Sequence, residues 1–441
     1  MFMGVQGQES RGRGPPWFGM AGDLPRLLLG GLAAFAAYFA MYAFRKPLAV
    51  AGWTDVGFHP FGLDYKTALV IVQVVGYAAS KLIGIRVMAE FGRIGRASVI
   101  FGLISISWAC LIAFALLPPV LGLACILMNG FALGMIWGLV FSYLEGRRTT
   151  ELLGAMLCGA FILASGVVKS AGALLLQEGV PEHWMPAATG LPFFPVLILS
   201  LWLLERMPAP SAADEAERTP RRPMDKTERA AFLQAHGLPM ALLTASYIVL
   251  TAMRDFRDNF AAELWTALGM GGSAAVFSAS ELPVAVIALG ALAGLILVRD
   301  NVKAMLAMHG VIMLGGALLG LGTLAFQAGL LGPMPWMILA GAGLYLAYLP
   351  FNAMLFDRMI AVLGRTANAG FLIYIADTAG YAGSIALLLW RSLFAPAADW
   401  VPLFIAFAHV AAVLIIVLTG ISALYFWRRA GQKREIPDCL T

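Results

Sequence analysis

Apolar stretches of about twenty residues recur along the whole chain, separated by short polar breaks. We count twelve, at roughly 25–46, 66–88, 97–117, 119–143, 151–176 and 186–205, then 238–265, 275–298, 303–328, 335–360, 367–393 and 400–428. A run of about 20 apolar residues is long enough to cross a bilayer as a helix. The longest interruption, Arg206 to Gly237, holds Pro208, Pro210, Pro220 and Pro223 among charges of both signs and reads as a linker. The pattern predicts an all-α membrane protein of twelve transmembrane helices in two pseudo-symmetric six-helix bundles, residues 25–205 and 238–428. Residues 1–24 and 429–441 are expected to be tails, and the first of these lacks the charged-then-apolar design of a signal peptide.

Composition agrees with this reading. The chain is 60% hydrophobic and 12% charged, against about 25% charged in a soluble domain. The net charge of +5 is spread between the apolar runs rather than gathered in one patch, so no nucleic-acid partner is expected. Cys110, Cys125 and Cys158 lie in apolar runs, and Cys439 stands one residue short of a prenylation box. The five His (59, 183, 236, 309 and 409) are scattered. With no metal spacing, catalytic triad or carboxylate pair in view, we expect neither a metal, nor a cofactor, nor an enzyme.

Basic residues set the expected orientation. Eight of the 30 Lys and Arg fall inside the apolar runs or at one set of ends: Arg45, Lys46, Lys66, Lys81, Lys169, Arg254, Arg257 and Arg391. The others lie in the tails, the linker and the loops after spans 2, 4, 8 and 10. Basic loops stay cytoplasmic, so both termini should be inside the cell, with a bacterial inner membrane as the expected location and a monomer in the lipid bilayer as the expected state. Paired features recur at an offset near 210: Arg45 with Arg254, Gly84 with Gly294, Arg147 with Arg358, and Ser170-Ala171-Gly172-Ala173 with Tyr381-Ala382-Gly383-Ser384. A shared offset fits an ancient duplication, and internal repeats around a midplane site are a recurring transporter plan.

Charges within membrane spans are costly and mark function by default. Tyr38, Tyr42 and Arg45 are spaced to share one helix face, with Lys46 following; Gln73, Tyr77 and Lys81 share another, and Ser165 and Lys169 a third. Arg offers a planar fork of donors to phosphate or carboxylate, and Lys adds a point charge. The competing reading has Arg45, Lys81 and Lys169 snorkelling to the interfaces. The second half mixes Arg254 and Arg257 with Asp255, Asp258, Glu281 and Asp377. At a spacing of four, Arg254 and Asp258 are able to neutralise each other on one helix face. Asp377, flanked by Tyr374 and Tyr381, either carries protons or pairs with a cation such as Lys169.

The two six-helix halves, the linker and the run Gly84 to Arg96, with its Glu90 and its Gly92-Arg93-Ile94-Gly95-Arg96, together resemble the major facilitator superfamily. Within it, Tyr42-Ala43-Phe44-Arg45-Lys46 and Tyr77-Ala78-Ala79-Ser80-Lys81 are similar to segments of the organophosphate:phosphate antiporters, and Arg254 stands where that branch has a second substrate arginine. Pro47 departs from the branch pattern, and span 5 offers Lys169 in place of its membrane His. The resemblance implies that Arg45 and Arg254 clamp a phosphate with Lys81 in support. The expectation is therefore a secondary transporter of a small anionic metabolite, a phosphate ester being one candidate, with Tyr38, Tyr42, Tyr77, Arg45, Lys46, Lys81 and Arg254 at the substrate. Lys169, Asp258, Glu281 and Asp377 are candidates for coupling or charge pairing, to protons or a counter-anion. The alternative is a transporter-like sensor or assembly partner without flux.

Overall fold

The structure, a computed structural model, describes residues 23–90, 95–147, 149–208, 226–363, 369–396 and 398–434. The N-terminal tail, loop residues 91–94 of the Gly-Arg run, most of the linker, the end of the C-terminal tail and the Tyr374 side chain lie outside the described residues. Every regular element described is helical. Lipid offers no partner to backbone polar groups, so an apolar chain of this kind must satisfy them within each segment.

We number the helices α1 (Asp23–Tyr42), α2 (Tyr65–Glu90), α3 (Arg96–Leu116), α4 (Pro119–Gly134), α5 (Ile136–Phe141), α6 (Thr150–Gln177), α7 (Met185–Gly190) and α8 (Phe194–Glu205) in the first half. The second half has α9 (Lys226–Asn259), α10 (Ala261–Ala267), α11 (Val276–Ile296), α12 (Asn301–Gln327), α13 (Pro333–Ala353), α14 (Leu355–Leu363), α15 (Ala369–Phe394) and α16 (Trp400–Arg434). Among the described residues ten helical stretches are long and apolar enough to cross a membrane, and they coincide with expected spans 2–10 and 12. The protein is thus an all-α, multi-pass membrane protein. Span 1 contributes a shorter apolar helix, Leu28–Tyr42, and α15 occupies the position of span 11.

Two boundaries differ from expectation. Helix α1 ends at Tyr42, and Arg45 and Lys46 stand in the turn after it, whose Lys46 N–H donates to the Tyr42 carbonyl at 2.9 Å. Pro47 then opens a short 3-10 helix, Pro47–Ala49, in place of further α-helix. Helix α9 begins at Lys226, inside the expected linker, and kinks at His236 three residues before Pro239.

Helices pack mainly within their own half: α2 and α3 on α4, and α1 on α6 and α8, then α9 on α15 and α16, and α12 on α13 and α16. Across the halves α6 packs on α11 and α2 on α15. Small residues permit the closest of these approaches. A Cβ at Gly130 of α4 would stand 2.2 Å from the Gln73 carbonyl oxygen of α2, and one at Gly343 of α13 would stand 2.5 Å from the Gly315 carbonyl oxygen of α12. Of the ten spans, α13 and α6 are the most enclosed, at 78% and 72% buried, and α3 the least, at 28%. The enclosed helices therefore wall the centre while α3 faces lipid. We call the side of the molecule that carries residues 47–64 the loop face, and the opposite side, where α1 starts and α16 ends, the tail face.

Candidate functional site

Arg45, Lys81 and Arg254 line one central cavity of about 50 Å³ between the halves, together with Tyr38, Tyr42 and Tyr77. The turn after α1 brings in Arg45, α2 brings Tyr77 and Lys81, and α9 brings Arg254. The wall is completed from the second half by Tyr348, Asn352, Asp377 and Tyr381, and by Trp137, Phe161 and Ile373. Neither Arg45 nor Lys169 reaches a surface: they are 9% and 1% exposed.

The two arginines are held alike. The Arg45 guanidinium lies 4.2 Å from the centre of the Tyr77 ring, and that of Arg254 lies 4.1 Å from the centre of the Tyr348 ring. Each aromatic face meets the cation electrostatically and leaves its in-plane N–H groups as the route to an oxyanion. Their charge environments differ. Arg254 donates to Asp255 from Nε (3.1 Å) and Nη2 (2.7 Å), and the Ser384 hydroxyl holds the other Asp255 oxygen at 2.8 Å. Arg45 has no carboxylate partner among the described residues, and its buried Nε is unsatisfied.

Lys81 donates to Asp377 at 2.6 Å, bridging α2 and α15 across the cavity, and the Tyr247 hydroxyl donates to the other Asp377 oxygen at 2.5 Å. Tyr247 stacks on Tyr348 with ring centres 5.2 Å apart, so the pair from Lys81 is mechanically joined to the ring under Arg254. Lys81 stands about 24 Å along α2 from its loop-face end at 1.5 Å per residue, which places this bridge toward the tail face.

Toward the loop face a second cluster closes the space. Asp258 accepts from Lys169 at 2.6 Å and from Lys46 and Ser165, while Lys46 also donates to Asn259 at 3.1 Å. One second-half carboxylate thus holds two first-half ammonium groups. Further cross-half pairs on the same face are Lys66 with Glu263 at 2.5 Å and Arg391 with Asp64 at 3.4 Å. On the tail face Arg358 pairs with Glu151 at 3.1 Å.

Several expected pairings are replaced. Asp258 does not neutralise Arg254, because Asp258 is drawn to the lysines of the first half while Arg254 takes its sequence neighbour Asp255. Asp377 pairs with Lys81, not Lys169, because α15 packs on α2. Lys46 sits in the Asp258 cluster and is not among the residues lining the cavity. Glu281 is likewise away from it, 2.8 Å from Arg257, whose Nη2 donates to the Met337 carbonyl at 3.0 Å. Nothing in the sequence marks Trp137, Phe161 and Ile373, since an apolar residue in an apolar span carries no signal of which side it faces, whereas Tyr247 shares a helix face with Thr251 and Arg254 at spacings of four and three. Tyr345, Tyr348 and Asn352 give α13 a polar face in the sequence, and hydrogen bonding between helices accounts for such a face as well as a site does.

Comparison with solved structures finds the same fold. The nucleoside transporter NupG superposes with a TM-score of 0.57 at 15% identity, over 92% of this chain and 98% of that one. A bacterial homologue of the human drug peptide transporters PepT1 and PepT2 superposes with a TM-score of 0.60 at 13% identity, over 93% and 100%. The chain thus shares its overall fold with these two transporters. No curated protein matches the sequence. One sequence family spans most of the chain, matching residues 47–429 and so reaching from the 3-10 helix after Arg45-Lys46 into the last turns of α16. On that match the chain belongs to DUF5690, a family of unknown function.

Proposed function

We propose that the protein is a secondary transporter that carries a small organic anion across the cell membrane by alternating access, with its tail face in the cytoplasm. The observation that carries the substrate class is Arg45: a buried guanidinium, stacked on Tyr77 at 4.2 Å, without a carboxylate partner among the described residues and lining a cavity. A charge in a low-dielectric site is costly unless paired, and a carboxylate or phosphate matches the guanidinium fork. Arg254 faces the same space and is freed for a ligand if Asp255 turns fully to Ser384. The likeness in fold to nucleoside and peptide transporters supports carriage of a solute of modest size.

Charge also favours exchange. Between the halves, five cations (Arg45, Lys46, Lys81, Lys169, Arg254) meet three carboxylates (Asp255, Asp258, Asp377). The two positive charges in excess are best balanced by a bound anion, so the loaded protein rearranges more readily than the empty one. A phosphate ester dianion would fit that count. The Lys81–Asp377–Tyr247 bridge supports a second coupling, in which a substrate oxyanion takes Lys81 and the released Asp377 takes a proton.

Proteoliposomes preloaded with individual carboxylates and phosphate esters test the reading. Saturable counterflow is expected for at least one of them, falling about tenfold or more in Arg45→Ala, the scale of one lost charge-assisted hydrogen bond. Exchange insensitive to a protonophore supports anion exchange, and a requirement for a pH gradient supports the proton route. Unchanged saturable flux in both Arg45→Ala and Arg254→Ala would overturn the assignment of the cavity.

A further inference from the structure

A second cleft, of about 340 Å³, lies on the loop face between residues 52–66 of the first half and α10, α15 and α16 of the second. None of its lining residues is shared with the central cavity. Its charged groups are Asp64, Lys66, Glu263 and Arg391, two of each sign.

Two of the four are already committed. Asp64 is the helix cap of α2, accepting from the Thr67 N–H at 2.8 Å and the Thr67 hydroxyl at 2.7 Å. Lys66 is held by Glu263 at 2.5 Å and by the Ala49 carbonyl at 2.8 Å. The other two have unused capacity. Arg391 is 7% exposed and stacks 3.9 Å above Trp400, yet its one ion pair among the described residues reaches only 3.4 Å, to the Asp64 that already caps α2. Its Nε, the second carboxylate oxygen of Glu263 and the Ser392 hydroxyl are all buried without a partner among the described residues. Unsatisfied buried polar atoms are rare in native proteins and call for an explanation such as a bound ligand or water. The three residues that carry these atoms all line this one cleft.

We propose that this cleft is a second binding site, for a small amphoteric solute of the α-amino acid kind. An anion answers Arg391 and leaves Glu263 unmet; a cation does the reverse. A zwitterion places its carboxylate on the Arg391 guanidinium beside Ser392, its ammonium on the free oxygen of Glu263, and its side chain against Trp400. It also keeps the cleft neutral, as the four charged residues already are. These contacts all come from the second half, and Asp64 and Lys66 of the first half line the facing wall. The site is independent of the substrate proposed for the central cavity.

Thermal unfolding of the full chain in lipid nanodiscs tests this, with glycine, acetate, methylammonium and inorganic phosphate each at about 10 mM, a ligand that binds only the folded state raising the unfolding temperature. Glycine is expected to raise the midpoint by about 2 °C or more, and the other three by less than half as much. The glycine shift is expected to vanish in Thr54→Trp, which fills the cleft from an exposed position, and in Arg391→Lys, and to persist in Arg45→Ala. No glycine shift in the parent chain, an equal shift with acetate or phosphate, or a shift that survives Thr54→Trp and is lost in Arg45→Ala would overturn the site.

Discussion

At the residue scale, the difference between Arg45 and Asp258 sets what each is for. Asp258 is 7% exposed and satisfied by Lys46, Lys169 and Ser165. Removing its charge leaves two ammonium groups buried without their counter-ion, and breaking a buried pair from one side costs about 3–5 kcal/mol. We therefore expect Asp258→Asn to lower the unfolding temperature in detergent strongly. Asp377→Asn is expected to lower it by clearly less, because its partner Lys81 is 22% exposed and borders the cavity. Comparable losses in both variants would mean that the two pairs are equally structural. Most of these charges could be picked from the sequence because a charge inside an apolar run is conspicuous. Their partners could not: Lys81 and Asp377 lie 296 positions apart, and no spacing rule connects two helices that meet only through the packing of α2 on α15.

At the element scale, the turn after α1 and the glycine contacts do most to shape the cavity. Helix α1 stops at Tyr42, so Arg45 leaves the helical face it would share with Tyr38 and Tyr42, yet all three still line the same space. The halt was partly foreshadowed by Pro47, which does not continue a helix. Gly130 lets α4 press on α2, the helix that carries Tyr77 and Lys81. We expect Gly130→Ala to destabilise the protein by about 1–3 kcal/mol, the usual cost of overpacking, and to lower transport through displacement of α2. Gly102→Ala and Gly290→Ala, where an added methyl group meets nothing within 4 Å, are the controls; thermal unfolding and counterflow of the three variants make the comparison.

At the scale of the whole molecule, the charge pairs joining the halves sort by face. Lys66 with Glu263, Arg391 with Asp64 and the two lysines on Asp258 gather toward the loop face, and Arg358 with Glu151 joins the tail face. A carrier that rocks its halves about a central site has to break these sets in turn. The double variants Lys66→Cys with Glu263→Cys, and Glu151→Cys with Arg358→Cys, test this in a background free of the native cysteines. Joined by a reducible bifunctional thiol reagent, each is expected to reduce counterflow to background, with recovery on reduction. Undiminished counterflow in a fully cross-linked pair would show that this face does not open during transport.

The sequence by itself determined that this chain is a helical membrane protein, where nearly all of its spans lie, and which buried charges demand an account, because hydrocarbon forces both backbone and side chains to declare themselves locally: apolar runs must be helical, and every charge within them is an exception. Only the tertiary structure decided which charges answer each other. It turned Asp258 toward the first-half lysines, paired Lys81 with Asp377 and Glu281 with Arg257, withdrew Lys46 from the cavity, and left Arg45 facing it without a carboxylate among the described residues. Coulomb attraction selects the nearest partner of opposite sign, and distance between helices is a property of packing that no spacing along one helix contains.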